Sequence, residues 1–241
     1  MRYLSKIAIV WLLCTVSVCA QTVEPSSGVG KRTLQLEFES LYLMEKEGTE
    51  KVNSWSIPSV LMRYGVSDVV ELQLNIPFLK EYTFEDENIL SSRTFLDNIQ
   101  AGVSVNLWEE NGILPQAAVM ARALIPIYNS QVDAIGSLVA LNFSNTLAEQ
   151  LSLNYNMGWI RDQGEDSGYY IANLSWNISS TVHTFVEFFG STYYNLNMNH
   201  NINTGIGFNL GSSFCLDLSV ASGLNHNMTF FGGVLSYQFG F

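Results

Sequence analysis

The sequence predicts an all-β protein, namely a transmembrane, antiparallel, up-and-down β-barrel of about 12 strands that follows a cleaved signal peptide. Three observations favour this fold class. The chain opens on a basic and then apolar segment, its later segments alternate between apolar and polar residues, and only 14% of its 241 residues are charged. A soluble domain carries about 25%. Barrels of about 10 or 14 strands are alternatives, and so is a soluble or periplasmic β-sandwich.

The alternation is clearest in the C-terminal stretch, residues 229–241. Counting back from the end in steps of two gives residues that are aromatic or apolar apart from one glycine: Phe241, Phe239, Tyr237, Leu235, Gly233 and Phe231. The residues between them are mostly small or polar. Because successive strand residues point to opposite faces, one face is apolar and the other polar. This pattern fits the closing strand of an outer-membrane barrel, although the last strand of a soluble sheet also alternates.

The N-terminal segment predicts export from the cytoplasm through the Sec route. Arg2 and Lys6 precede an apolar run at residues 7–18, and cleavage after Ala20 suits the residues around it. We therefore expect a signal peptide at residues 1–20. The apolar run is too short for a spanning helix, which needs about 20 apolar residues.

The cysteines of the chain predict no disulfide. Cys14 and Cys19 leave with the signal, so that Cys215 alone remains and we expect it to pack without chemistry of its own. Lipidation of Cys19 is a minor alternative, since Val18 precedes it where a lipoprotein signal needs a small residue. The polar residues 21–32, rich in Gly, Pro and Ser, predict a loose periplasmic lead-in before a barrel at residues 33–241.

The charge balance excludes some partners. The whole chain has a formal net charge of −11, with 11 basic and 22 acidic residues, and loss of Arg2 and Lys6 with the signal makes it more acidic. Nucleic acid is excluded, since phosphate binding needs clustered Lys and Arg. No segment after residue 20 is apolar enough for a spanning helix, so a membrane location requires a closed barrel. We expect the cell outer membrane of a Gram-negative bacterium, with outer-membrane lipid as a partner.

The alternating segments give the strands in order. We predict strands at residues 33–43, 55–64, 69–76, 99–108, 116–125, 135–143, 151–159, 170–178, 182–189, 202–210, 214–222 and 229–241. Most of the alternate connections are short, and the others are longer and charged or Asn-rich, with residues 77–95 forming the longest loop. Barrels with both termini in the periplasm have this pattern. The last strand must pair with the first to leave no open edge.

One stretch of the chain, residues 57–74, resembles a known family. Its sequence, I-P-S-V-L-M-R-Y-G-V-S-D-V-V-E-L-Q-L, is similar to a signature of the MetA-pathway phenol-degradation proteins, which are Gram-negative outer-membrane β-barrels often described as transporters. The matching residues are Pro58, Ser59, Arg63, Tyr64, Gly65, Asp68 and Glu71. Residues 96–97, 187–190 and 217–219 are similar to the family more weakly. The resemblance implies a barrel with a transporter-like role and names no solute.

Five charged residues lie on the polar faces of predicted strands: Arg63, Glu71, Arg122, Glu187 and Asp217. An Arg or Lys side chain facing lipid costs about 2–4 kcal/mol at the membrane midplane, so we expect all five to point into the lumen. Two interpretations stay open. They form a polar constriction that contacts and selects solutes, or they form an ion-pair network that stabilises the barrel and closes its lumen.

The sequence predicts no enzyme, no cofactor and no resident metal. It lacks the nucleophile-elbow, zinc-protease, phosphate-loop and C-x-x-C motifs. His183 lies within a predicted strand, where no spacing selects a Ser partner. A surface metal site formed by His200 and His226 of the Asn-rich loops is a minor alternative.

Two functions therefore stand side by side. The first is a passive channel or transporter for small solutes, apolar or aromatic ones included, with aromatic residues of the segment 77–95 at its entrance. The second is a structural or adhesive outer-membrane barrel with a plugged lumen and no transport. In either case Phe241, Phe239 and Tyr237 resemble the C-terminal signal that the barrel-assembly machinery reads.

Overall fold

The computed structural model describes residues 23–85, 88–127, 135–192 and 198–241, which form one all-β sheet. The predicted signal peptide, residues 1–20, lies outside the described residues. Within the described part, no helix is long and apolar enough to cross a membrane. The strands are β1 (Thr33–Glu47), β2 (Glu50–Gly65), β3 (Val70–Ile76), β4 (Phe78–Glu85), β5 (Asn88–Leu96), β6 (Ile99–Trp108), β7 (Gln116–Ile125), β8 (Gly136–Ala148), β9 (Leu151–Asp162), β10 (Glu165–Asn177), β11 (Val182–Thr192), β12 (Met198–Leu210), β13 (Phe214–Gly223) and β14 (Asn227–Gly240).

Twelve of the 14 strands close into an antiparallel barrel. The ring runs β1, β2, β3 and then β6 through β14, and β14 pairs with β1 from Thr33↔Gly240 to Lys46↔Asn227. The predicted 12-strand barrel and the predicted pairing of the last strand with the first are both confirmed. We call the end of the barrel at Thr33 and Phe241 the terminal rim, and the opposite end, at the turn Gly48–Thr49, the far rim.

The predicted loop at residues 77–95 is wrong. Those residues form the hairpin β4–β5, and β4 pairs with the first half of β2 from Glu50↔Glu85 to Ser56↔Leu79. Only Pro77, which has no backbone N–H to donate, separates β3 from β4. The segment is rich in Tyr, Phe and Thr, which favour strands, and its acidic residues concealed this preference. The hairpin continues the wall formed by β3 and β6 up to the far rim, where Glu85 lies opposite Glu50.

The strands also run further at the far rim than predicted. The gap between the predicted strands 33–43 and 55–64 shrinks to the turn Gly48–Thr49, and the gap between the predicted strands 151–159 and 170–178 shrinks to Gln163–Gly164. Gln163 and Gly164 have positive φ angles of 51° and 86°, as a two-residue hairpin turn requires. The predicted contrast between short and long connections is therefore weaker in the structure. Beyond the apolar belt both strand faces meet water, so charged residues do not end a strand there.

The apolar face of each strand points outward. Leu72, Phe188, Leu218 and Phe231 are about half exposed, at 48–52%, whereas the polar residues between them are buried in the lumen. A soluble protein has the opposite arrangement, so this surface is suited to lipid. At the terminal rim, aromatic rings stack along the outside. The ring centroids of Phe214 and Tyr237 are 4.4 Å apart, and those of Tyr237 and Phe239 are 5.3 Å apart. These rings form part of an aromatic belt.

Candidate lumen site

All five charged residues expected in the lumen are buried. Their exposed fractions are 4% for Arg63, 1% for Glu71, 7% for Arg122, and 0% for both Glu187 and Asp217. Nothing in this single-layered sheet covers its outer face, so burial means that a side chain points inward. Arg63, Glu71 and Arg122 meet in one network, whereas Glu187 and Asp217 lie on the strands β11 and β13.

The first network, which we call the charged cluster, contains Glu24, Glu37, Arg63, Glu71 and Arg122. Arg63 Nε donates to Glu71 Oε1 at 2.8 Å, and Arg63 NH1 lies 3.6 Å from Glu37 Oε1. The pairing of β2 with β3 and of β1 with β2 brings these three residues together, since Arg63 lies opposite Gln35 and Gln73. Glu71 also accepts a 2.7 Å hydrogen bond from the Gln73 side chain.

Arg122 extends the charged cluster along the wall from β3 to β7. Its Nε donates to Gln73 Oε1 at 2.8 Å, and its NH1 donates to Gln100 Oε1 at 3.3 Å. Its NH2 lies 2.6 Å from Glu24 Oε1, a residue from before the first strand. The cluster therefore combines three carboxylates with two guanidinium groups, and each guanidinium contacts more than one acceptor. Such a closed network is rigid, because each member orients the next.

The N-terminal segment, residues 23–32, is part of the lumen. Both main-chain groups of Glu24 bond to the Asn156 amide, with Glu24 N donating at 2.6 Å and Glu24 O accepting at 2.8 Å. Ser26 O accepts from Asn106, and Val29 N donates to Glu71 Oε2 at 2.7 Å. The segment thus reaches from the terminal rim to the middle of the barrel. We call residues 23–32 the N-terminal strap.

Residues 23–32 of the lead-in expected at residues 21–32 are packed inside the lumen, and residues 21 and 22 lie outside the described residues. Its Val23 and Val29 side chains are only 4% and 7% exposed, and its Ser26 hydroxyl donates to the Gln116 side chain at 3.1 Å. A Cβ at Gly65 would overlap the carbonyl oxygens of Val29 and Gly30, so the strap backbone lies directly on β2 there. Composition marked the segment as polar, but a polar segment is stable inside a polar lumen.

Glu187 lies in a row of amides on the opposite wall. It accepts hydrogen bonds from Asn173 Nδ2 at 3.2 Å and from Asn203 Nδ2 at 3.3 Å. The strand register places these three residues side by side on β10, β11 and β12. Both amide groups donate a hydrogen to the carboxylate, one to each of its oxygens.

Asp217 belongs to a third group near the terminal rim, which we call the His–Cys–Asp cluster. His183 Nε2 lies 2.8 Å from Asp217 Oδ1, and Cys215 Sγ donates to Asp217 Oδ2 at 3.3 Å. The His183 side chain crosses β12 at Gly207, which lies between His183 and Asp217 in register. A Cβ at Gly207 would overlap both side chains, so only glycine permits this contact.

Two apolar groups line the lumen toward the far rim. One combines Met120, Leu124, Leu138 and Ala140 of β7 and β8, with Ile160 and Tyr169 packed against them. The other combines Ala221, Met228 and Phe230 of β13 and β14, with Leu41, Leu43 and Phe189 beside them. The inner surface is therefore apolar in patches toward the far rim and polar or charged toward the terminal rim.

Several lumen residues were missed from the sequence. Glu37 and Asn156 lie on polar faces of predicted strands, so the alternation already carried a signal for them. Glu24 had no such signal, because it precedes the first strand and reaches Arg122 only through the folded strap. His200 and His226, which the sequence placed in loops, form no metal-ligand cluster within the described residues. His200 lies in β12, and its Nδ1 is 2.8 Å from the Tyr170 hydroxyl.

The closed antiparallel ring of 12 strands, with a polar lumen and an apolar outer face, defines the chain as an outer-membrane β-barrel in fold. It is similar to the COG4313 outer membrane channel from Pseudomonas putida F1, with a TM-score of 0.71 and 10% identity, over 90% of this chain and 100% of that chain.

Two further solved structures share the fold. The NanC porin matches with a TM-score of 0.56 and 7% identity, over 84% of this chain and 98% of that chain. The translocator domain of the autotransporter NalP from Neisseria meningitidis matches with a TM-score of 0.52 and 10% identity, over 87% and 88% of the two chains. No family model and no curated protein matches the chain.

Proposed function

We propose that the chain is a passive channel of the Gram-negative outer membrane for small solutes, with a preference for apolar or aromatic ones. The observation that carries this proposal is the pair of inward-facing apolar groups around Met120 and Phe230. These side chains are packed against one another and only 1–8% exposed, so a solute contacts them only where it moves them apart. Apolar side chains at such a point favour an uncharged solute over an ion.

The proposal places the terminal rim in the periplasm and the far rim outside the cell. The outward apolar face then contacts outer-membrane lipid, and the aromatic ladder of Tyr237, Phe239 and Phe241 lies at the periplasmic interface. On this view the barrel-assembly machinery acts on that C-terminal strand. Solutes enter at the far rim, where the apolar groups lie, and meet the charged cluster and the strap before the periplasm.

We also propose membership of the MetA-pathway phenol-degradation family. Its support is the stretch at residues 57–74, whose Arg63, Gly65 and Glu71 have linked structural roles. Arg63 pairs with Glu71, Glu71 accepts from the strap, and Gly65 leaves room for the strap backbone. The likeness in fold to an outer-membrane channel agrees with a transporter-like role.

The N-terminal strap is the element that restricts passage in this proposal. It contacts β2, β3, β6, β7 and β9, which are consecutive in the ring apart from β8. A solute passing the charged cluster must therefore pass the strap or displace it. The strap is held mainly by polar contacts, which can exchange for water without exposing a large apolar surface.

The proposal is tested with purified protein in planar bilayers and with intact cells. A variant lacking residues 23–31 should conduct ions more than the native chain, because the strap no longer occupies the lumen. Cells that make the native chain should take up the apolar aromatic dye N-phenylnaphthylamine faster than cells with an empty vector, and cells that make the deletion variant faster still. Unboiled gel samples should run ahead of boiled ones for both proteins, which shows that both barrels fold.

The second candidate is a closed barrel with a structural or adhesive role. Its support is the pairing within the charged cluster, where Arg63 and Arg122 each contact carboxylates and amides. A folded barrel that neither conducts nor speeds dye uptake, in the native and in the deletion form, would exclude the channel and leave this candidate.

A further inference from the structure

The His–Cys–Asp cluster has the composition of a metal site and no role in the proposed transport. Its three candidate ligand atoms come from His183, Cys215 and Asp217, all lie within 4.8 Å of one another, and all three residues are buried. The three side chains reach this point from β11 and β13, on either side of β12. The strands β11 and β13 are not neighbours in the barrel. The strand register alone brings their three different ligand types together.

The geometry at His183 provides a second observation. His183 is 5% exposed, yet its Nε2 has no hydrogen-bond partner of acceptable geometry among the described residues. It lies 2.8 Å from Asp217 Oδ1 all the same. The close approach therefore brings the imidazole Nε2 and a carboxylate oxygen to the same region without a well-directed hydrogen bond. Two atoms that bind the same metal ion also lie close together without a directed hydrogen bond, because both point at the ion and not at each other.

A third observation is the space that Gly207 leaves. A Cβ at this position would overlap Asp217 Oδ1 and the edge of the His183 ring that carries Nε2. The glycine gives β12 no side chain at the point where the two ligands meet. The cluster thus lies against bare backbone on one side, with the lumen on the other.

We propose that His183, Cys215 and Asp217 bind one divalent transition-metal ion of the zinc class. A nitrogen, a sulfur and an oxygen ligand suit Zn²⁺, whose usual distances are about 2.3 Å to sulfur and about 2.0–2.2 Å to nitrogen and oxygen. Calcium and magnesium are disfavoured, since they take oxygen ligands. Binding releases the Cys215 thiol proton to solvent, because the thiolate is the ligand.

The site would leave a fourth position for water or for a group from the lumen, since three protein ligands do not complete a tetrahedron. It would also join β11 to β13 across β12 at the terminal rim. Neither consequence depends on transport. The metal-site proposal can therefore be correct or wrong independently of the proposed channel.

The test uses the purified full-length mature protein in detergent, treated with a chelator and then titrated with Co²⁺. Cobalt is the probe because bound thiolate gives it a near-ultraviolet charge-transfer band. One equivalent of Co²⁺ should produce this band together with the visible bands of a tetrahedral ion, and Zn²⁺ should displace it. A Cys215→Ser variant should lose the charge-transfer band, and His183→Asn should weaken binding by more than the about 10–100-fold that loss of a second-shell partner costs.

Two further variants separate the site from other causes. His226→Asn removes a half-buried histidine at the far rim, away from the three proposed ligands, and should leave the Co²⁺ spectrum and affinity unchanged. Gly207→Ala keeps all three ligands but fills the space between them, and should reduce the affinity. Each variant is first checked for the gel-mobility shift of a folded barrel, so that loss of binding is not loss of fold.

The proposal is overturned if the folded native protein binds no stoichiometric Co²⁺ or Zn²⁺. It is equally overturned if the charge-transfer band survives in Cys215→Ser, or if His226→Asn abolishes binding as fully as His183→Asn. The sequence predicted no resident metal, and the reason is visible in the structure. His183 and Cys215 are 32 positions apart, and nothing in their spacing shows that Gly207 lets them meet.

Discussion

The contact between Glu24 and Arg122 offers the sharpest perturbation of the N-terminal strap. The Glu24 side chain is 19% exposed and lies 2.6 Å from the guanidinium of Arg122, which is 6% exposed. A Glu24→Gln substitution keeps the size and one hydrogen bond but removes the charge. Arg122 keeps its contacts with Gln73 and Gln100, so the barrel wall should be unaffected. The strap alone should be held less tightly.

The magnitude of the effect depends on how a charged hydrogen bond differs from a neutral one. A hydrogen bond to a charged group contributes about 1.5–3 kcal/mol and a neutral one about 0.5–1.5 kcal/mol. Exchanging one for the other should cost about 1–2 kcal/mol of strap docking. Since about 1.4 kcal/mol is a factor of ten, the undocked fraction should rise about 5- to 30-fold. The remaining strap contacts, at Asn156, Asn106 and Glu71, keep the docked state dominant.

The assay measures the undocked fraction directly. Val29→Cys in a Cys215→Ser background places a single thiol where the strap is 7% exposed, and a water-soluble maleimide labels it only when the strap leaves the lumen. Labelling should be about 5- to 30-fold faster with Glu24→Gln, in proportion to the undocked fraction. Channel opening in planar bilayers should become more frequent in the same proportion.

A matched control uses the ion pair of the far hairpin. Glu81 Oε1 lies 2.9 Å from Arg93 NH2, and the side chains are 22% and 49% exposed. Glu81→Gln removes one charge at a similar contact far from the strap, so it should change neither labelling nor opening. Equal labelling rates in the native and Glu24→Gln proteins, or equal increases in Glu24→Gln and Glu81→Gln, would refute the reasoning.

Three other outcomes are expected. Gly65→Val should release the strap, because its side chain overlaps the strap carbonyls; labelling at Val29→Cys should rise while the gel-mobility shift of the folded barrel persists, and unchanged labelling would contradict the docking described. Arg63→Met should lower the free energy of unfolding by about 3–5 kcal/mol in urea titrations, since it leaves Glu71 buried without its ion-pair partner, whereas Arg93→Met at the exposed pair should cost less than about 1 kcal/mol. Deletion of Phe241 should reduce the amount of folded barrel in the outer-membrane fraction, and an undiminished amount would argue against the assembly signal.

The alternation of residues predicted the barrel because lipid imposes a simple rule. One face of every spanning strand must be apolar and the other is free to be polar, so period two continues through most of the chain. The strand Ile99–Trp108 was predicted with its observed bounds for this reason. Both of its neighbours in the ring, β3 and β7, begin within one residue of the predicted position.

The rule fails where lipid ends. Beyond the apolar belt the strands β1 and β2 continue to the turn Gly48–Thr49 through charged residues, and those residues predicted a loop. The hairpin β4–β5 was missed for the same reason. The alternation of apolar and polar residues reflects contact with lipid. It therefore predicts the part of a strand that lies in the membrane and misses the part that lies in water.

The strap lay outside any local pattern. Glu24 and Asn156 are 132 positions apart and exchange two hydrogen bonds, and no periodicity within either segment shows that they meet. What the sequence did show was a set of five charged residues on the inward faces of the strands. Three of them, Arg63, Glu71 and Arg122, belong to the charged cluster, and Glu37 of β1 and Glu24 of the strap complete it.

The charged cluster and the apolar groups are compatible parts of one proposed pathway. Because Arg63 and Arg122 are already paired with carboxylates, the cluster offers an anion little net attraction, while the desolvation of a passing ion in a narrow lumen remains costly. An uncharged aromatic solute has no such cost and can contact the groups around Met120 and Phe230. On the proposed function, the ion pairs therefore act on selectivity by holding the strap in place. The two interpretations drawn from the sequence, a filter and a stabilising network, then describe the same residues.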